Sequence, residues 1–296
     1  MKTLDLTSLE KSEIKYRIDK FPDGQQNVSI TSGINPILDI PVIEIKTRIN
    51  SWLDLEILQC AVASLRQLKV TSIHLYCPII LGSRSDRKFE IGGNNYLRDV
   101  ICPIINSMKF DTVTVYDAHS TCSEMGFNNF ESISNLSLVR FSLTPPVYYP
   151  NTDDNFILVS PDAGALHKVN KLVEEIGYKG DIITCTKERD TDGKLTKTVV
   201  PNIYKTENYS KESWKDYIII DDICDGGRTF INIAKEMKNY RRLYLVISHM
   251  LHDTPNPELL NLFDGIYCTN SRHDKYYEKD GDHLVESKKI HILNIF

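Results

Sequence analysis

The sequence has no apolar run of transmembrane length, and its N-terminal stretch is too polar for a secretory leader. Nor has it any surplus of positive charge: 35 Lys and Arg stand against 40 Asp and Glu, a net charge of −5. No broad cationic surface for nucleic acid is implied. Cysteine occurs seven times, at 60, 77, 102, 122, 185, 224 and 268, yet no two are spaced as a zinc knuckle or a redox Cys-x-x-Cys. Most sit in apolar runs such as Leu58-Gln59-Cys60-Ala61-Val62, where a free thiol packs as a small hydrophobe. The expectation is a reducing, cytoplasmic setting.

What is present is an ordinary globular composition, 41% hydrophobic and 25% charged, over 296 residues, enough for two domains with separate cores. Apolar, β-branched runs alternate with helical patterns. Strands are predicted at Val42–Ile45, Ser72–Tyr76 and Thr112–Tyr116, with helices at Trp52–Leu68 and Asn95–Met108. A second series has strands at Phe156–Val159, Asp181–Thr184, Tyr217–Ile220, Leu243–Ile247 and Gly265–Cys268, with helices at Ala165–Ile176 and Phe230–Tyr240. Such alternation predicts an α/β protein of two tandem, doubly wound parallel-sheet domains. Three prolines in Pro145-Pro146-Val147-Tyr148-Tyr149-Pro150 can continue neither a helix nor a central strand, so the domains are expected to span 1–146 and 147–296.

The most informative run is Tyr217 to Phe230. An apolar strand is closed by Asp221-Asp222, then Ile223-Cys224-Asp225-Gly226-Gly227-Arg228 leads to a helix opened by Thr229. A glycine-rich turn from strand to helix offers bare backbone N–H groups and a positive helix end to a phosphate. Carboxylates beside it suit ribose hydroxyls or Mg2+. A capped βα turn would be the ordinary explanation, but three Asp within five residues exceed what capping needs.

This segment resembles the PRPP-binding loop of the type I phosphoribosyltransferases and PRPP synthetases, Asp-Asp-x-x-Asp-Thr-Gly-Gly-Thr after an apolar strand. Asp221, Asp222, Asp225, Gly227 and Thr229 match; Gly226 stands for Thr and Arg228 for the second Gly. Five further segments carry the resemblance to PRPP synthetases. Ser83-Arg84-Ser85-Asp86-Arg87-Lys88 is similar to Ala-Arg-Gln-Asp-Arg-Lys, and Asp117-Ala118-His119 to Asp-Leu-His. Ser160-Pro161-Asp162-Ala163-Gly164 matches throughout, and Lys187-Glu188-Arg189 is similar to Lys-Arg-Arg. Lys20-Phe21-Pro22-Asp23-Gly24-Gln25 also resembles Arg-Phe-x-Asp-Gly-Glu.

The resemblance implies two phosphoribosyltransferase-like domains and a diphosphokinase that moves the β,γ-diphosphoryl group of ATP to the anomeric hydroxyl of a ribose 5-phosphate unit, releasing AMP. It implies that Phe21, Asp23, Gln25, Arg84, Asp86, Arg87 and Lys88 bind ATP. Lys187 and Arg189, on a mobile flap, and His119 would be catalytic. Asp162, Asp221, Asp222, Asp225, Gly226, Gly227, Arg228 and Thr229 would hold the acceptor, with Mg2+ at His119, Asp162, Asp221 and Asp222. A homodimer or higher homo-oligomer is implied, since in this family the Phe hairpin reaches a neighbouring subunit. Gly226 removes a hydroxyl from the phosphate cup and Arg228 adds a long cation. The loop therefore resembles that of a divergent, phage-encoded branch that makes ADP-ribose 1-pyrophosphate for NAD salvage in the host cytoplasm. Ribose 5-phosphate is the alternative acceptor, and an inactive PRPP-synthetase-associated regulatory protein the alternative class.

Overall fold

The computed structural model describes residues 1–35, 41–120, 125–143, 156–189, 195–201, 215–281 and 283–296, with 187–189 and 195–197 described by backbone alone. These residues form two compact units, Met1–Ser134 with Phe296, and Asn135–Ile295. The proline-rich segment 145–150, where the sequence places the break, lies outside the described residues.

The first unit contains β1 (Lys2–Asp5), β2 (Lys15–Lys20), β3 (Gln26–Ser32), β4 (Val42–Lys46), α1 (Trp52–Gln67), β5 (Ser72–Tyr76), α2 (Cys102–Ser107), β6 (Thr112–Tyr116) and β7 (Phe130–Ile133). Five strands make an all-parallel sheet in the order β1-β4-β5-β6-β7, and β2 and β3 form a separate hairpin. Helix α1 starts where Ser51 and Asp54 cap each other's backbone N–H. Its Leu55, Leu58, Ala61, Val62 and Leu65 recur at helical spacing and are buried in the unit's core. The helix expected over Asn95–Met108 has a different beginning. Leu97–Ile101 is a π turn, closed by Cys102 N–H donating to the Leu97 carbonyl, before α2 proper. Pro103, which has no N–H to give the preceding turn, sits at the junction.

The second unit contains α3 (Leu136–Ser142), β8 (Phe156–Ser160), α4 (Ala163–Ile176), β9 (Ile182–Thr184), β10 (Thr186–Arg189), β11 (Leu195–Val199), β12 (Asp216–Cys224), α5 (Arg228–Glu236), β13 (Leu243–Met250), α6 (Pro257–Leu262), β14 (Gly265–Thr269), β15 (Tyr277–Asp280), β16 (His283–Glu286) and β17 (Ile290–Leu293). Its six-stranded sheet is again all parallel, in the order β17-β14-β13-β12-β8-β9. Every residue of β8, β13 and β14 is buried, which is why these strands are continuous apolar runs rather than alternating ones. Burying each Ile, Leu or Val there contributes about 1.5–3 kcal/mol against leaving it in water.

Strand β12 departs from expectation: it does not stop at Ile220 but runs to Cys224. Its ladder with β13 continues, Ile223 opposite His249 and Cys224 opposite Met250. The paired carboxylates therefore belong to a rigid strand, not to the turn after one. Helix α5 begins at Arg228, one residue before Thr229, and ends at Glu236 rather than Tyr240.

Candidate active site

In the second unit Asp221 and Asp222 point to opposite faces near the C-terminal end of β12, as successive residues of a strand must. Asp222 is buried, and its Oδ2 meets Lys168 Nζ of α4 at 2.5 Å. Asp221 is half-buried, and its Oδ1 accepts the Asp222 N–H at 2.9 Å. Burial first, then the Asp222 charge and more weakly that of Asp162, push the Asp221 carboxyl up to about 7; the Asp222 N–H and Lys168 oppose the shift. Asp162 lies at the end of β8 and caps α4, its Oδ1 accepting from the Gly164 and Ala165 N–H groups at 3.0 Å each. The structure thus brings Asp162, Asp221 and Asp222 into one electrostatic neighbourhood across two adjacent strands.

The loop after β12 turns on Gly227, whose φ of +72° is left-handed and whose added Cβ would meet Leu259 at 3.3 Å. Gly226 is exposed, and a Cβ there would meet nothing within 4 Å. The space in front of Gly226 is open for a ligand. Gly227 is also the N-cap of α5 and, lacking a side chain, leaves the first N–H groups of that helix without a side-chain cap. Arg228, at the first helical position, is exposed, and Thr229 is half-buried. Asp225, exposed beside Gly226, meets His252 Nε2 at 2.7 Å. Lys187, Glu188 and Arg189 lie in β10, an antiparallel ribbon with β11 in which Lys187 stands opposite Thr198. Residues 190–194, the rest of the expected flap, lie outside the described residues.

In the first unit the β2–β3 hairpin carries Phe21, Asp23 and Gln25 at its tip, all exposed. The turn is closed by Phe21 N–H to the Gln25 carbonyl and Gly24 N–H to the Phe21 carbonyl, both 2.9 Å. Gly24 takes φ +99°, and Phe21 leaves 46% of its surface uncovered. The loop after β5 is tied down at its middle. The Asn95 amide donates to the Asp86 carbonyl, and Leu97 N–H to the Ser85 carbonyl at 3.1 Å. Arg84, Arg87 and Lys88 stay exposed, and the Arg87 guanidinium lies 5.5 Å from the Phe89 ring centre. Asp117, with φ +46°, closes β6, its N–H bonded to the Ile133 carbonyl at 2.7 Å. This turn carries His119, half-buried.

Apart from the Phe21 hairpin, the motifs of both units lie at or beyond the C-terminal ends of parallel strands, where open α/β sheets receive ligands. Residues 148–278 match the phosphoribosyl transferase domain. The ribose-phosphate pyrophosphokinase of Saccharolobus solfataricus is 28% identical over 228 residues, covering 75% of this chain and 71% of that one. That of Sulfurisphaera tokodaii is 25% identical over 86% of this chain and 83% of its own. The crystal structure of phosphoribosylpyrophosphate synthetase from Mycobacterium smegmatis superposes with a TM-score of 0.75 over 100% of this chain and 95% of that one, at 13% identity. Over most of its length the chain is similar to these pyrophosphokinases, and its second half to the phosphoribosyl transferase domain. The name those relatives carry, ribose-phosphate pyrophosphokinase, is that of a diphosphotransferase.

Among the described residues no three His, Cys, Asp or Glu side chains enclose a metal on their own. Mg2+ does not require it, since this ion keeps several waters and substrate phosphate oxygens around one or two carboxylates. The crowding of Asp221 by Asp222 and Asp162 is the charge environment a divalent cation relieves, so this donor set fits Mg2+. Sequence reading missed two residues of the site, Lys168 and His252. Lys168 was discoverable in part, as a cation one and a half turns into the helix that follows Ser160-Pro161-Asp162. His252 carried no sequence signal, because only the β12–β13 pairing brings it to Asp225.

Proposed function

We propose that this protein is an ATP-dependent diphosphokinase acting on a ribose 5-phosphate unit. The observation that carries the reading is one loop: paired carboxylates at the end of a buried strand, followed directly by an open Gly226 and a helix start without a side-chain cap. The first suits ribose hydroxyls and the second a phosphate. Its relatives carry the name ribose-phosphate pyrophosphokinase. In the proposed step the anomeric oxygen attacks the β-phosphorus of ATP. The bond from that phosphorus to the oxygen bridging the α-phosphate breaks, AMP leaves with the electron pair, and the anomeric proton passes to solvent. Little covalent work falls to the protein, so positioning and charge cancellation carry the rate.

Lys187 and Arg189 would offset charge on the bridging oxygen and the transferred group, and His119 would lie beside the polyphosphate. Phe21, Asp23, Gln25, Arg84, Asp86, Arg87 and Lys88 would hold the nucleotide. Asp221 and Asp222 would orient the ribose hydroxyls. Asp162, Asp221 and Asp222 in the second unit, and separately His119 in the first, would be donors for Mg2+, which would supply charge neutralisation on the polyphosphate when bound. An inactive regulatory protein would have no need to keep Lys187, Arg189, His119 and Asp162 together.

For the acceptor, two features favour ADP-ribose over free ribose 5-phosphate. Gly226 opens space where a hydroxyl-bearing side chain would close on a monoester, and Arg228 offers an exposed cation at the helix start to a second phosphate. The deciding experiment incubates the protein with Mg2+-ATP and each acceptor in turn, and measures AMP release and product mass. AMP with a product heavier by a diphosphoryl group is expected, faster with ADP-ribose. Release of ADP instead of AMP, or no transfer to either acceptor, overturns the reaction. Preference for ribose 5-phosphate overturns the acceptor.

A further inference from the structure

The loop that is to receive an anion contains a carboxylate, and that is a physical problem. Asp225 adjoins Gly226 and lies three residues from the start of α5, with its side chain 48% exposed. Asp225 can hold an acceptor only through its hydroxyls, for a bare carboxylate there repels the phosphate that the open backbone invites. In the structure it is not bare. His252, in the segment after β13, places Nε2 2.7 Å from Asp225 Oδ1. Facing a carboxylate, which only accepts, that nitrogen must carry the proton and donate. The same stretch is fixed to the loop through its backbone, since Leu251 N–H donates to the Cys224 carbonyl at 2.9 Å. His252 therefore stands on a short, tethered arm, one residue beyond that hydrogen bond. It reaches Asp225 across 27 positions of sequence.

We propose that His252 is a positioning residue for the acceptor loop: it turns the Asp225 carboxylate away from the phosphate site and offsets its charge, and so sets acceptor affinity. The inference rests on the diphosphokinase reading for the identity of the acceptor, though its first readout, acceptor binding, needs no turnover. The binding of ribose 5-phosphate and of ADP-ribose is measured by calorimetry without ATP, on wild type, His252→Ala, His252→Gln and Asp225→Asn, and on His252→Ala combined with Asp225→Asn. Steady-state KM values for ATP and acceptor, and melting temperatures, accompany it.

His252→Ala should weaken acceptor binding about three- to tenfold, the range for losing one partly exposed hydrogen bond to a charged group. The KM for ATP should stay within about twofold. His252→Gln, whose amide can still donate, should recover most of the loss. In the Asp225→Asn background, where no carboxylate charge remains to be offset, His252→Ala should have little further effect. Unchanged acceptor affinity in His252→Ala, equal loss for ATP and acceptor, or full additivity with Asp225→Asn each overturns the proposal. A lower melting temperature with unaltered acceptor affinity would assign His252 a structural role and overturn it too. If wild type binds neither acceptor, the diphosphokinase reading falls and takes this one with it. If wild type binds and His252→Ala binds equally well, only this inference falls.

Discussion

Lys168→Met isolates the ion pair beneath the paired carboxylates. The Asp222 side chain is 6% exposed and that of Lys168 35%, with 2.5 Å between their charged atoms. Taking away the lysine leaves a carboxylate in the protein interior without that cation. For a fully buried pair such a loss costs about 3–5 kcal/mol. Here the lysine end is about a third in solvent, which discounts the figure to about 2 kcal/mol. For a unit the size of Asn135–Ile295, that corresponds to a drop of about 4–8 °C in melting temperature. The pair is not symmetric. Asp222→Asn strands an ammonium that can swing into water, so it should cost less than about 1 kcal/mol. The double variant Lys168→Met/Asp222→Asn should recover at least half of the loss, because position 222 no longer carries a buried charge. Differential scanning calorimetry at pH 7.5, in chelator and without nucleotide, reads all three. A Lys168→Met melting temperature within 1 °C of wild type (about the reproducibility of such a scan), or a double variant no better than the single, would refute the reasoning.

Arg228→Gly should lower kcat/KM for ADP-ribose about tenfold or more, as for one charge-assisted contact, while ribose 5-phosphate is used no worse; equal effects on both would place Arg228 outside the acceptor site. Lys187→Ala should leave ATP affinity nearly intact and lower turnover by about two to three orders of magnitude, and wild-type turnover would remove it from the chemistry. Phe21→Ala should raise the KM for ATP. If the hairpin serves a neighbouring subunit, mixing it with Lys187→Ala protein should restore part of the activity; no recovery after confirmed subunit exchange would mean that each site is built from one chain. Asp221 has a folded-state pKa raised to about 7, so the native state holds a proton that the unfolded chain releases near pH 4. Its stabilising contribution is present below pH 4 and lost as pH rises through 7. In chelator, Asp221→Asn should therefore match wild type at pH 4 and exceed it by about 1 kcal/mol at pH 8, discounted from the full shift because the carboxylate is half-buried. An equal difference at both pH values in urea melts would show that Asp221 ionises normally.

Much of the architecture was legible because buried parallel strands leave a direct trace. Phe156–Val159, Leu243–Ile247 and Gly265–Cys268 are apolar throughout, since helices and neighbouring strands leave them no wet face. Edge elements leave a fainter one. Lys2–Asp5 and Phe130–Ile133 are four-residue strands at the two edges of the first sheet, too short and too polar to show a period. Lys187–Arg189, expected from the sequence on a mobile flap, are strand because they pair with Leu195–Val199.

For the candidate site, the amino-acid order alone determined the chemistry on offer. Asp221, Asp222, Asp225, Gly226 and Gly227 are contiguous in one strand-to-helix segment, and local backbone rules suffice to see a carboxylate pair beside a phosphate turn. Tertiary structure alone decided the state of those groups. Lys168 comes to Asp222 across 54 positions. Where β12 ends was settled by its ladder with β13 out to Met250, which puts the carboxylates on a rigid strand. The physical reason is the range of the forces: turn geometry and strand patterning act between residues a few positions apart, whereas desolvation and ion pairing depend on what the sheet brings alongside.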